Sequence, residues 1–190
     1  MSTAQALITA EQFWEIDFDV PVELVRGEIV ELTRPNTWHG YVCAKVSHLL
    51  QLWNANDQYG FVISNDSGVL TERDPDTLRG PDVYFIRHER LPGGRLPERW
   101  IEVPPDLAVE VFSPTDRWRD IWDQIHEYFA LGVNGVWVTD PRKGTLHVMK
   151  PDDGPQILDE TQTLESPDVL AGFSCPLDSL LPPHAGSEEA

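Results

Sequence analysis

The segment PDLAVEVFSP, residues 105–114, places an acid in the middle of a run that is otherwise apolar from Leu107 to Phe112. Side chains alternate along a strand, so Leu107, Val109 and Val111 point one way and Ala108, Glu110 and Phe112 the other. A strand that is apolar on both sides belongs inside a sheet whose two faces are covered. An ionised carboxylate in such a place costs several kcal/mol unless it is paired or bound to a cation. The segment thus fixes an architecture and asks what holds Glu110. At this level pairing with an arginine and binding of a cation are both open.

The flanking patterns supply the covering layers. ITAEQFWEI begins a short helix, with Thr9 and Gln12 in capping-box spacing. VELVRGEIVEL (22–32) alternates on both sides of Arg26-Gly27, as a tight hairpin does. TWHGYVCAKVSHLLQLWNAN carries Val42, Val46, Leu49, Leu50 and Trp53 at helical spacing. One or two strands are predicted in GFVISNDSGVLT, a short one in PDVYFI and an edge strand in WIEV. DRWRDIWDQIHEYFALGV is a second long helix, with Ile121, Ile125, Tyr128 and Phe129 as its apolar stripe and Gly132 as its stop. GVWVTD and TLHVMK are further strands, joined around Pro141–Gly144. The order predicts an α/β (α+β) fold with a central mixed sheet flanked by helices. A single domain over 8–182 is expected, with a mobile loop at 88–98 and a disordered acidic tail at 183–190.

Composition limits the chemistry. The formal charge is -18, from 32 acids against 14 bases, which argues against a non-specific polyphosphate binder and suits carboxylates gathered around divalent cations. Arg87, Arg90, Arg95 and Arg99 form the best local basic cluster. No window approaches ~20 apolar residues, so neither a membrane span nor a signal peptide is expected. Cys43 and Cys175 match neither a disulfide framework nor a zinc spacing; a bridge between them stays open, and a reducing cytoplasm is the expectation.

RGPDVYFI adds a second acid, Asp82, at the start of an apolar strand. Two acids on adjacent strands can meet near ~4–5 Å and hold one hard cation, with a backbone carbonyl completing the set. Taken alone, Pro-Asp is more often a turn or a cap. Pro81-Asp82 followed by Glu110-Val111-Phe112 resembles the active-site signature of the PD-(D/E)xK nuclease superfamily. The series ELVRGEIVEL, a helix with His39, GPDVYFI, PDLAVEVFSPTD, a helix ending EYFALGV, and GVWVTDP resembles the Uma-type restriction endonuclease family over roughly 8–182.

The resemblance implies a restriction-endonuclease-like fold and metal-dependent hydrolysis of phosphodiester bonds in DNA. It implies that Asp82, Glu110 and the Val111 carbonyl hold Mg²⁺ or Mn²⁺, and that the chain is a homodimer. The superfamily lysine falls at Phe112, and the position where the Uma-type branch carries it instead is Gln124. The chain has three lysines, Lys45, Lys143 and Lys150, and none lies between 46 and 142. Asp82, Glu110 and Gln124 are therefore the expected catalytic set, with Arg117, Arg119 or His126 as substitutes for the missing charge. Glu23 on the hairpin, His39 near a helix start and Ser113 after the strand are auxiliary candidates. A nuclease fold that binds nucleic acid or protein without cutting is the alternative, and a structural module with Glu110 paired to an arginine is the third.

Overall fold

Residues 107–111 form an interior strand of a six-stranded sheet, buried at all five positions. The computed structural model describes residues 7–183. In chain order the elements are α1 (Ala10–Trp14), β1 (Val22–Val25), β2 (Glu28–Glu31), α2 (Thr37–Trp53), β3 (Gly60–Ser64), β4 (Val69–Glu72), β5 (Thr77–Arg79), β6 (Val83–Arg87), β7 (Leu107–Val111), α3 (Trp118–Leu131), β8 (Gly135–Asp140), β9 (Thr145–Met149), β10 (Gln156–Asp159), β11 (Thr163–Glu165) and β12 (Ser174–Pro176).

The large sheet has the order β10-β9-β8-β7-β6-β3. Its β7–β8 pair is parallel and the other neighbours are antiparallel, so the sheet is mixed. A parallel pair needs a crossover, and α3 supplies it between β7 and β8. The alternation along β7 is read by two different helices. Val109 and Val111 pack with Val42, Val46 and Leu50 of α2, whereas Ala108 packs with Ile121, Ile125 and Tyr128 of α3. Glu110 therefore belongs to the α3 face. Gly132 ends α3 at φ 107°, a left-handed conformation that favours glycine.

A second sheet, β2-β1-β5-β4, is antiparallel. Its β1–β2 hairpin turns at Arg26 and Gly27 with φ of 51° and 79°, the positive pair that a two-residue turn between twisted strands requires. Leu24, Leu70 and Leu78 of this sheet pack with Ala10 and Trp100 in a separate small core. The Thr9 capping box is formed in both directions, by the Thr9 hydroxyl and the Gln12 side chain.

Several local expectations change. WIEV forms no edge strand: Ile101 makes an isolated bridge to Val69, and Pro104-Pro105 just beyond remove the donors a ladder needs. As expected, GFVISNDSGVLT holds strands, two of them, β3 and β4, which fall in different sheets and are parted by Asn65 and Asp66 at positive φ. The 88–98 segment holds two 3-10 turns, and Arg87 and Arg90 both pair with buried Asp106 at 3.2 and 3.1 Å. Those two guanidinium groups of the basic cluster thus share one buried carboxylate. Cys43 and Cys175 are free thiols. The tail expected to be disordered lies, beyond residue 183, outside the described residues.

Candidate active site

β6 starts at Val83, opposite Val109 in antiparallel register, so Asp82 falls beside Glu110 one step further along. Asp82 is held from two sides. Its Oδ2 accepts the Val111 N–H at 2.6 Å, and its Oδ1 lies 3.0 Å from His39 Nε2. His39 sits in the first turn of α2 because Asn36 caps that helix, accepting the His39 N–H at 3.0 Å. Burial is the largest single influence on His39 and lowers its affinity for a proton, but the hydrogen bond to Asp82 and the charges of Asp82, Asp66 and Asp116 together outweigh it and the net shift is upward.

Glu110 is held from α3. Its Oε1 accepts the Tyr128 hydroxyl at 2.7 Å and the Gln124 side-chain amide at 2.8 Å, while Gln124 also donates to the Tyr128 oxygen at 2.8 Å. Gln124 thus faces the sheet, on the face that Tyr128 shares. Burial pushes the Glu110 carboxyl well above its usual range, and the neighbouring Asp82 charge pushes in the same direction. Burial and the Glu110 charge likewise raise the Tyr128 hydroxyl, which keeps it a donor.

His39, Asp82, Glu110 and Gln124 line one cavity, together with Glu23, Asp66, Val111, Ser113 and Asp116, and Tyr128 lies buried behind it. Burial raises the carboxyls of Asp66 and Asp116, and the charge on Asp82 adds to both. Ser113 contributes its backbone N–H to Asp116 Oδ2 at 2.6 Å. Glu23 reaches the cavity wall, but its carboxylate is occupied: Oε2 pairs with Arg79 at 2.8 Å and Oε1 accepts the Gly80 N–H at 2.9 Å. The other face of Arg79 grips Glu127 of α3 through two bonds of 2.6 and 2.7 Å. Arg117, Arg119 and His126 are exposed and lie outside the cavity lining.

Sequence reasoning did not single out Tyr128, Arg79, Asp66 or Asp116 for the site. Tyr128 carried a signal, since a tyrosine in an apolar stripe needs a partner for its hydroxyl once buried.

The family model for Uma2, described as a putative restriction endonuclease, matches residues 10–178. The chain belongs to the Uma2 family. A solved structure of similar fold is a putative nuclease belonging to DUF820 from Anabaena variabilis. It superposes with a TM-score of 0.79 at 17% identity, over 91% of this chain and 97% of that one. At that identity the likeness is one of fold, the restriction-endonuclease-like mixed sheet with few helices. No curated protein matches the chain.

In this Uma2 chain the test of a divalent-cation position rests on the pairing of Asp82 and Glu110. Both are buried, at 8% and 7% exposure, and among the described residues no Lys or Arg side chain bonds to either. Arginine pairing therefore does not account for Glu110. An all-oxygen donor set of two carboxylates and a strand carbonyl fits a hard cation.

The pair has a measurable consequence without metal. The folded Glu110 carboxyl is raised above the ordinary glutamate value of 4.5, so stability from its neutral form is full below that pH and is lost as pH rises toward the folded value. Glu110→Gln removes this loss. In chelator, the melting temperature of the variant minus that of wild type is expected to grow as pH rises from about 4.5 to 8. A flat difference across that window would show that Glu110 carries no such penalty.

Proposed function

We propose that this chain is a divalent-cation-dependent DNA endonuclease, slowed because Gln124 stands where a lysine would serve. Asp82, Glu110 and the Val111 carbonyl would hold Mg²⁺ or Mn²⁺. When bound, such an ion polarises the scissile phosphate and lowers the pKa of an attacking water. The observation that carries this reading is the buried, side-by-side pair of Asp82 and Glu110 with no Lys or Arg bonded to it.

The surrounding residues have separable tasks. The Val111 N–H and His39 orient Asp82, and Tyr128 and Gln124 orient Glu110. His39 holds a proton at Nε2 beside Asp82 and would contact a phosphate oxygen or protonate a leaving group. Gln124 orients by hydrogen bonding but brings no positive charge against the negative charge that develops in phosphoryl transfer. The family assignment supports DNA as substrate, and the free thiols support a reducing cytoplasm. One unit over 8–182, paired as a homodimer to reach two strands, completes the reading.

Plasmid cleavage with Mg²⁺ or Mn²⁺ tests it. Asp82→Ala and Glu110→Ala are each expected to lower the rate by about a hundredfold or more, the scale of losing one preorganised charge-stabilising group. Equal rates in wild type and both variants would assign the activity to a contaminant and remove the proposal.

The second reading is a nuclease fold that binds nucleic acid or a protein partner without cutting. The absence of any lysine from the cavity lining favours it.

A further inference from the structure

His39, Cys43 and Ser47 recur every four residues along α2, which places them in one row on the helix surface. All three line a second cavity on the α2 side of Asp82, together with Gly40, Asp66 and Asp82 itself. The Cys43 Sγ lies 3.4 Å from His39 Nδ1, and the other ring nitrogen is 3.0 Å from Asp82 Oδ1. One donor atom from each of His39, Cys43 and Asp82 falls within 4.8 Å of the other two.

We propose that His39, Cys43 and Asp82 form a site for a thiophilic divalent cation such as Zn²⁺, distinct from the hard-cation position between Asp82 and Glu110. An ion takes one nitrogen of the ring, and the three donors that lie within 4.8 Å of one another are an imidazole, a thiolate and a carboxylate, all of which tetrahedral zinc accepts. Thiolate and imidazole select such ions over Mg²⁺, which prefers oxygen. Burial, then the charges of Asp82, Asp66 and Glu110, push the Cys43 thiol far above its ordinary range. A coordinated cation reverses that field and takes the place of the proton. There is also room beside the helix, since a Cβ added at Gly40 would meet no atom within 4 Å. The Ser47 Oγ is buried without a hydrogen-bond partner, so a polar atom is available to water on the ion.

Asp82 serves both positions. An ion held by Cys43 draws on the carboxylate that the hard cation needs, so the thiophilic ion weakens the hard one. This consequence rests on the proposed function, whereas the site itself does not.

Co²⁺ is the probe, because cobalt bound to a thiolate gives a charge-transfer absorption in the near ultraviolet. Titrating the whole chain under reducing conditions is expected to raise that band to saturation at one equivalent. Cys43→Ser and Cys43→Ala abolish it, Cys175→Ser leaves it, and His39→Gln weakens Co²⁺ binding about tenfold or more. No band in wild type, or a band that survives in both Cys43 variants, overturns the site. Either Cys43 variant suffices if the other fails to fold. Mn²⁺ is expected to raise the apparent Co²⁺ dissociation constant in wild type and not in Glu110→Gln. Independent binding of the two ions overturns the competition. Failure of the hard-cation reading looks different: Mn²⁺ would bind wild type and Glu110→Gln equally while the cobalt band stays intact.

Discussion

Arg79→Met is expected to destabilise the protein by about 3–5 kcal/mol, the cost of stranding buried charge when one partner of an ion pair is removed. Arg79 is 13% exposed in its side chain, Glu127 7% and Glu23 10%, so neither acid can turn to water without moving its element. Two short bonds to Glu127 and one to Glu23 disappear together. At about 2–4 °C per kcal/mol for a chain of this size, the melting temperature falls by roughly 10 °C. The double variant Arg79→Met with Glu127→Gln recovers part of the loss, because one stranded charge is gone. Thermal unfolding near neutral pH measures both. A fall of under about 1 kcal/mol would mean that water reaches the two carboxylates and that the triad behaves as a surface network.

Gln124→Lys is expected to raise the rate of plasmid cleavage in Mn²⁺ by about a hundredfold, the scale of a preorganised charge-stabilising group at a phosphoryl-transfer site. The wild-type amide nitrogen sits 2.8 Å from Glu110 Oε1 and faces the cavity. An ammonium placed there brings positive charge to within reach of the scissile phosphate. It also favours the ionised form of Glu110, which burial and Asp82 disfavour. Gln124→Met, of similar length and without a donor, should not gain. If wild type is inactive and Gln124→Lys cuts, the non-cutting reading holds for the natural chain. If wild type cuts at a rate that the lysine does not raise, Gln124 is a competent replacement and the non-cutting reading is lost.

The parts of this structure that were legible in the sequence are those where burial writes itself into alternation. Val109 and Val111 on one face and Ala108 on the other implied two covering helices, and α2 and α3 occupy those faces. Gln124 was legible as facing the sheet because Tyr128, one turn on, belongs to the apolar stripe. Arg79 was not, since β5 is three residues long and too short to show a period. Asp66 and Asp116 sit in SNDSG and SPTD, where an acid reads as ordinary turn chemistry. The Tyr128 hydroxyl finds Glu110 only through the packing of α3 on β7, and nothing local encodes that angle. WIEV misled because its Trp100 and Ile101 are buried while the prolines after it deny it a ladder.

α3 carries Gln124 and Tyr128 toward one sheet and Glu127 toward the other, so three positions, 124, 127 and 128, share a single helix, and Arg79 of β5 is bonded to it through Glu127. The Arg79–Glu127 bonds and the Gln124–Tyr128–Glu110 bonds meet only through α3, and the effects of neighbouring substitutions on stability depart from additivity by roughly 0.5–3 kcal/mol. A lineage that altered Arg79 would tilt the helix that aims at Glu110, and one that altered Gln124 would be felt at Glu127. A lysine returned to position 124 is therefore expected to bring full benefit only on a background where 79 and 127 still hold the helix.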